Sequence, residues 1–471
     1  MTDEDNFSAF ATVAELGRAL AAGKTSSVEI VCRALARVAA HDGELHAFVM
    51  TFPEQALAAA EAADRRRQEG AAKGLLDGIP FAAKDLLAVE GYPTMAGSRA
   101  LDGKPAAVTA QVIRRLTDVG MVLLGKVQTV EFAFGSWGTN AVAGTPLNPY
   151  DRAVPRAPGG SSSGSGVAVA AGLVPAALGT DTTGSIRNPS GMCGVVGLKT
   201  TAGLVGRGGL LPLASTFDSI GPMVRSVEDA ALMLAAMEGR DADDSATARM
   251  TPTFPLAGLD RGVAGMRLRI PAEADMASVA PGIRQRFQAA LADLESLGAT
   301  IDQRPMPQST EAYMTHAGDI LAAEAWRHIG RYVEAPGSVV DPAIRTRALK
   351  GKTIDGARYQ ELIETRRARQ AEFARYMEGA DAFLTPTAPI TAPSLADLDE
   401  GTTTLGTYSR LVNLMDMAAL SVPVGLVDGL PSGLQIVVRR FHDPLALAIG
   451  RALEVKRGGS LFDPPAGFAA P

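Results

Sequence analysis

PGGSSSGSGVAVAAGLVPAALGTDTTGSIRNPSG spans residues 158–191, and its reading sets the fold class. It continues a loop rich in Pro, Gly and Ser over 146–166. An apolar helix at about 165–173 follows, then a strand over 175–180, then a tight turn. A short helix feeding a strand is an α/β signature. The pattern extends upstream, with a strand-like run Ile79–Leu87, a helical stretch over 109–119 and a buried strand Met121–Gly125. Further upstream, Ser26 and Ser27 cap a helix whose face carries Val28, Val31, Leu35 and Val38. Pro53 opens an alanine-rich helix that closes on Arg65, Arg66, Arg67 and Gly70.

Downstream, residues 240–262 are polar and irregular, as in a surface loop. A strand Met266–Ile270 follows, with a helix whose inner face is Ile283, Phe287, Ala290, Leu294 and Leu297. A charged helix over about 355–378 turns Tyr359, Leu362, Ile363, Phe373 and Met377 inward. Strands at 381–385, 420–425 and 433–438 and a helix at 444–455 complete the pattern. No internal repeat or clean linker divides it, so one large α/β domain over 1–471 is expected.

Composition narrows the function. Of 471 residues, 46% are hydrophobic, enough for a large core. Lys+Arg 45 against Asp+Glu 51 gives a net charge of −6 with no basic run, which argues against nucleic-acid binding. Two cysteines, Cys32 and Cys193, exclude a disulfide framework and a multi-thiolate metal site. The five histidines form no HExxH and no zinc spacing, so neither metal nor cofactor is expected. The start, MTDEDNFSAF, is acidic and lacks an apolar stretch, so no secretory signal is expected. The weakly polar run 167–179 is too short to span a bilayer and contains Pro175. A cytoplasmic protein that does not engage membranes is the expectation.

Two parts of the opening stretch carry chemistry. Residues 159–166 combine glycines with several serine hydroxyls. Residues 179–187, GTDTTGSIR, end a strand in a turn that presents Ser185 amid backbone N–H groups, a platform for a nucleophile and an oxyanion hole. A serine needs a base. No histidine context or G-x-S-x-G elbow supplies one. Lys84, in the otherwise apolar strand GIPFAAKD, would serve if burial lowered its pKa toward about 7–8. The competing structural reading is a flexible Gly/Ser loop and an edge-strand lysine.

With these motifs in place, the chain resembles the amidase signature family, serine hydrolases with a Ser–Ser–Lys triad. The resemblance rests on GIPFAAKD (78–85), PGGSSSGSG (158–166), GTDTTGSIR (179–187) and CGVVGLKTT (193–201). Ser161 follows Lys84 by 77 residues and precedes Ser185 by 24. The resemblance is dense over about 75–225, the signature core. It weakens over about 240–400, a variable region that would shape substrate choice, and returns in the strands at 381–385 and 420–438.

The resemblance implies a mixed, mostly parallel central β-sheet flanked by helices. It also implies Ser185 as nucleophile, Ser161 after a cis peptide bond as the bridging serine, and Lys84 as base. The oxyanion hole would be the N–H groups of Thr182, Thr183, Gly184 and Ser185, with Ser162 orienting the triad. One departure is Thr183, where the family usually carries glycine.

Asp181 and Arg187 are open to two readings, an ion pair that holds the turn or a substrate contact. Cys193 reads as a small buried hydrophobe. Phe134, Gly135, Ser136 and Trp137, with Met415 and Met417, either line the acyl pocket or pack in the core. Tyr313 and Trp326 sit on a helical stretch of the variable region.

The implied reaction is hydrolysis of an amide C–N bond of a small-molecule substrate. A carbamate or urea-type substrate is an alternative, because FLTPTAPITAPSLAD and LGTYSRLVNLMDMAALSVPVG look similar to the allophanate hydrolase branch. The Gly-Ser-Ile-Arg turn is closer to general amidases. A further alternative is the glutamine amidotransferase subunit, which hands ammonia to a partner protein. A homodimer is left open.

Overall fold

The computed structural model describes residues 8–248, 250–399 and 405–468. Residues 1–7 of the acidic start and residue 249 of the polar 240–262 stretch lie outside these. The backbone builds one 11-stranded sheet. Its strands are β1 (Phe48–Thr51), β2 (Pro80–Lys84), β3 (Val122–Val127), β4 (Ala176–Asp181), β5 (Val196–Lys199), β6 (Ser219–Val224), β7 (Arg267–Pro271), β8 (Thr300–Arg304), β9 (Ala382–Pro386), β10 (Ala418–Val427) and β11 (Leu430–Val438). Across the sheet they run β1-β3-β2-β4-β6-β5-β10-β11-β9-β7-β8.

The sheet is mixed, as expected, but it is not mostly parallel. Six pairings are antiparallel and four parallel. The parallel pairs β2–β3, β2–β4, β7–β8 and β7–β9 come from the helix-linked segments that the alternating pattern shows. The centre is antiparallel because β5, β6, β10 and β11 pair with one another. The longest of these pairs closes through Asp428 and Gly429, both at positive φ (50° and 79°). An Asp-Gly pair with both residues left-handed is the turn that suits a two-residue antiparallel hairpin.

Burial follows the two-residue strand period. In β2, Phe81 and Ala83 enter one core and Ala82 the other. In β4, Ala176 and Leu178 share the first core and Ala177 the second. Both faces are covered, so these strands read as continuous apolar runs rather than alternating ones.

The helix expected from about residue 165 begins earlier, as Ser163–Ala170, and every residue of it is buried. Its start cuts into the expected 146–166 loop. Gly164 explains the composition, since a Cβ there would sit 2.4 Å from Ala47 O and Gln128 N. Small residues let this helix lie against the strands, and polarity alone made it look like loop. The helices Pro281–Ser296, Gly356–Tyr376 and Asp443–Lys456 match their expected stretches to within a few residues.

Candidate active site

Lys84 is the last residue of β2, between parallel neighbours β3 and β4. Asp181 ends β4 at the same edge of the sheet. Carboxyl ends of adjacent parallel strands are where α/β folds place their sites. The loop before the helix Ser163–Ala170 arrives there on a ladder along Ser136 and Trp137. Gly160 N donates to Ser136 O at 2.7 Å and Gly159 N to Trp137 O at 2.9 Å. The Gly160–Ser161 peptide is cis. Ser161 O accepts from Val130 N at 3.2 Å and from Thr129 Oγ1 at 3.0 Å.

Lys84 is fully buried, and among the described residues its amine hydrogen-bonds to hydroxyls alone. Nζ lies 2.8 Å from Ser161 Oγ, 3.0 Å from Ser162 Oγ and 2.8 Å from Thr180 Oγ1. Burial without an adjoining carboxylate disfavours the ammonium. The Lys84 pKa falls to about 7, chiefly from desolvation, while the charges of Asp181 and Asp218 pull it upward. Asp218 is itself raised to about 6 by burial, against hydrogen bonds from Thr182 Oγ1, Leu213 N and Ala214 N. The edge-strand reading of Lys84 does not hold, because β2 is interior and the amine is fully sequestered.

The turn 182–185 is shaped by a buried ion pair. Arg187 Nε and Nη2 reach Asp181 at 3.0 and 2.8 Å, with both side chains inaccessible. Arg187 also donates to Ser409 O, Gln435 Oε1 and Asn413 Oδ1. Burial would raise the Asp181 carboxyl, yet Arg187, with Lys199 and Asn413, holds it well below the usual carboxylate range. Of the two readings for this pair, the structural one fits. Neither side chain has a free surface or a spare partner for a substrate. Truncating Arg187 to alanine would leave a buried carboxylate unpaired. Urea denaturation of Arg187→Ala is expected to show a loss of about 3–5 kcal/mol.

Asp181 also corrects the expected oxyanion hole. Gly184 N donates to Asp181 Oδ1 at 2.8 Å and Ile186 N to Oδ2 at 3.1 Å. The Gly184 N–H is therefore spent inside the turn. Among the described residues, the N–H groups of Thr182, Thr183 and Ser185 have no acceptor in the protein. Thr183 does not need the positive φ that a glycine would allow. Its carbonyl accepts from Ser409 Oγ at 2.9 Å. The position that demands glycine is Gly184, at φ +122°, where a Cβ would lie 2.3 Å from Ser409 Oγ. Gly184→Ala is expected to destabilise the turn by about 1–3 kcal/mol. A lowered melting temperature together with lost covalent labelling of Ser185 checks it.

Ser185 is 5% exposed. Its carbonyl accepts from Ser162 N at 3.1 Å, and Gly184 O accepts from Asn188 N at 2.7 Å. Ser162 thus contacts both the lysine and the nucleophile turn, and its hydroxyl also bonds the Thr180 backbone. A narrow cavity opens on Ser185, lined by Ala133, Phe134, Gly135, Ser136, Thr183, Leu321, Arg347 and Arg410. Phe134, Gly135 and Ser136 are where the sequence reading puts a pocket. Trp137, Met415 and Met417 do not line this cavity. Trp137 packs with Met192, Ala388 and Leu405, and the two methionines join the core that holds Tyr313. Residues 134–137 and 415–417 lie in turns and irregular backbone between the named elements. Neighbours in sequence point different ways, so one stretch cannot face a cavity throughout.

Cys193 is buried and donates to Pro158 O, and burial pushes its thiol up, as a small core residue requires. Thr180, Asp218, Arg347 and Arg410 were absent from the sequence reading. Thr180 lies inside GTDTTGSIR and could have been marked by its strand-end position. The others carry no local signal. Among the described residues no group of three His, Cys, Asp or Glu could hold a metal. No helix among them is long and apolar enough to cross a membrane.

The Amidase family model matches residues 29–447, and the chain belongs to the amidase signature family of hydrolases. Among curated relatives it is similar to one subunit of the glutamyl-tRNA(Gln) amidotransferase of Chloroflexus aggregans (strain MD-66 / DSM 9485). The two are 38% identical, over 94% of this chain and 96% of that protein. Among solved structures it is similar to an s-triazine catabolic enzyme described in a vestigial protein complex. There the TM-score is 0.88 at 31% identity, covering 96% of this chain and all of that one. It is also similar to the peptide amidase of Stenotrophomonas maltophilia, with a TM-score of 0.82 at 30% identity over 97% and 98% of the two chains.

Proposed function

We propose that this chain cleaves an amide C–N bond through an acyl-enzyme on Ser185, with Ser161 and Lys84 as the proton relay. The observation that carries the reading is the buried, hydroxyl-bound Lys84 amine 2.8 Å from Ser161 Oγ. Neutral Lys84 takes the proton of Ser161, and Ser161 takes that of Ser185 as Ser185 Oγ attacks the carbonyl carbon. The oxyanion faces the N–H groups of Thr182, Thr183 and Ser185. The relay returns a proton to the leaving nitrogen, and water then cleaves the ester by the reverse route.

A second reading is favoured by the curated relatives. In it the same half-reaction releases ammonia from glutamine for a partner protein. Identity of 38% over 94% of the chain to a glutamyl-tRNA(Gln) amidotransferase component supports it. Likeness to a peptide amidase supports a chain that acts on small amides alone. The two readings share the triad and differ in substrate and partner. The test is ammonia release by the purified chain from glutamine and from a panel of simple aryl and aliphatic amides, carbamates and ureas. Turnover of simple amides without a partner supports the stand-alone hydrolase. Glutamine turnover only when a partner protein is present supports the amidotransferase. No turnover and no acyl-enzyme under either condition sinks the proposal.

A further inference from the structure

The cavity over Ser185 is small, about 40 Å³. Pockets that hold drug-sized ligands run to about 300–1,000 Å³. Its walls include Thr183 and Ser185 from the nucleophile turn and the segment 133–136. Neither Ser161 nor Lys84 lines it. A leaving nitrogen must face Ser161 to take back the relay proton, so that nitrogen sits outside this cavity. The other substituent of the attacked carbonyl carbon, the acyl group, points into it.

Hydroxyls crowd the turn, and most are spent. Thr182 Oγ1 donates to Asp218 at 2.6 Å, Ser409 Oγ to Thr183 O at 2.9 Å and Ser162 Oγ to Thr180 O at 3.2 Å. Ser161 and Thr180 hold the Lys84 amine. Among the described residues the hydroxyls of Ser136, Thr183 and Ser185 have no hydrogen-bond partner, and none of the three is sealed from solvent. All three residues line the cavity. The N–H of Thr183 faces the oxyanion in the mechanism above, so its side chain, one carbon further on, stands beside the attacked carbonyl. Thr183 is 8% exposed against 1% for Thr182. The fold thus leaves one threonine of the turn an outlet that it denies the other.

We propose that Thr183 is a specificity-determining residue, which limits the substrate to amides of a short, polar acyl group. Its Cβ and methyl group take up space beside the carbonyl, so a long acyl chain has no room. Its hydroxyl is left to pair with a polar atom on the α carbon of the acyl group. If a methyl group of the substrate meets that hydroxyl instead, the hydroxyl stays unpaired in a narrow cavity. Sites built to hydrogen-bond a substrate reject the analogue that lacks the partner atom for this reason. The inference rests on the reading of Ser185 as nucleophile, and it narrows the substrate class within that reading.

The test reads covalent labelling of Ser185 by sulfonyl fluorides and needs no turnover. The ratio of the rates with methanesulfonyl fluoride and phenylmethanesulfonyl fluoride measures the room on the acyl side. Taking the ratio within each chain cancels any change in the oxyanion hole. Thr183→Ala is expected to lower this ratio about 10-fold or more, as space for even one further carbon does in a tight pocket. Thr183→Val, of equal size, should leave it in place. Glycolamide and propionamide differ by a hydroxyl for a methyl group, and each is then made to compete with the probe. Glycolamide is expected to protect Ser185 at about one-tenth the concentration of propionamide, as one hydrogen bond provides. Thr183→Val should remove that preference, and Thr183→Ser should keep it. Thr183→Ala also removes the hydroxyl, and it serves should Thr183→Val fail to fold. The proposal is overturned if Thr183→Ala leaves the size ratio unchanged, if propionamide protects as well as glycolamide, or if the preference survives loss of the hydroxyl. Any of these results with Ser185 labelled removes the role of Thr183 and keeps the nucleophile. Absence of labelling at Ser185 removes both.

Discussion

Replacing Ser185 with alanine is expected to lower kcat on amides by a factor on the order of 10⁴–10⁶, as loss of a covalent nucleophile does in hydrolases that act through a triad. The structure gives the substitution a clean background. Among the described residues the Ser185 side chain makes no hydrogen bond. The turn is anchored through backbone groups and through Asp181, Arg187 and Ser409. Melting temperature should therefore stay near that of the unaltered chain while turnover disappears. A fluorophosphonate or sulfonyl fluoride probe should modify one residue, mapped by peptide mass to Ser185. Labelling that persists in Ser185→Ala would remove Ser185 from the mechanism.

Lys84→Arg should be nearly as damaging as Lys84→Ala, each costing most of kcat. Arginine keeps its proton in this pH range and cannot accept another, so charge retention gives no rescue. The pH profile supplies the sign. With the Lys84 pKa lowered to about 7, the amine is protonated and inactive below that value and neutral above it. Activity should thus rise with pH through about 7 and hold on the alkaline side. Removing the Asp218 charge by Asp218→Asn takes away one of the influences that raise the Lys84 pKa. The acidic limb should move to lower pH, while a purely structural role for Asp218 would leave it in place. Amides should suffer more than activated esters in both lysine variants, because an amine leaving group needs a proton returned through the relay. Near-normal amide turnover by Lys84→Arg would exclude Lys84 as the base.

The position of Gly184 shows how local pattern and tertiary context divide the work. The turn 179–187 is legible as a strand running into a glycine-serine turn, and its serine stands out without any structure. Which N–H groups remain free is not legible there. Gly184 N is taken by the Asp181 side chain, and that carboxylate is aimed by Arg187 and by Asn413 from a helix more than two hundred residues away. Thr183 likewise looks like an obstruction beside the family's usual glycine. It proves compatible, because the positive φ falls one residue later.

Local sequence suffices for the strand that carries Lys84, the Gly/Ser segment, the nucleophile turn and their order along the chain. Each is written in short-range periodicity and turn chemistry, which neighbouring residues enforce. Apart from the β10–β11 hairpin, which Asp428 and Gly429 close locally, the antiparallel centre of the sheet comes from long-range packing instead, since strand direction depends on which distant segments pair. The same packing brought the amine of Lys84 within hydrogen-bond reach of hydroxyls from two other segments, and so set a pKa that burial, rather than residue type, controls. It also turned Trp137, Met415 and Met417 into core and brought Arg347 and Arg410 to the cavity. The direction of a side chain is a property of the packed element that carries it, and no local pattern records what that element packs against.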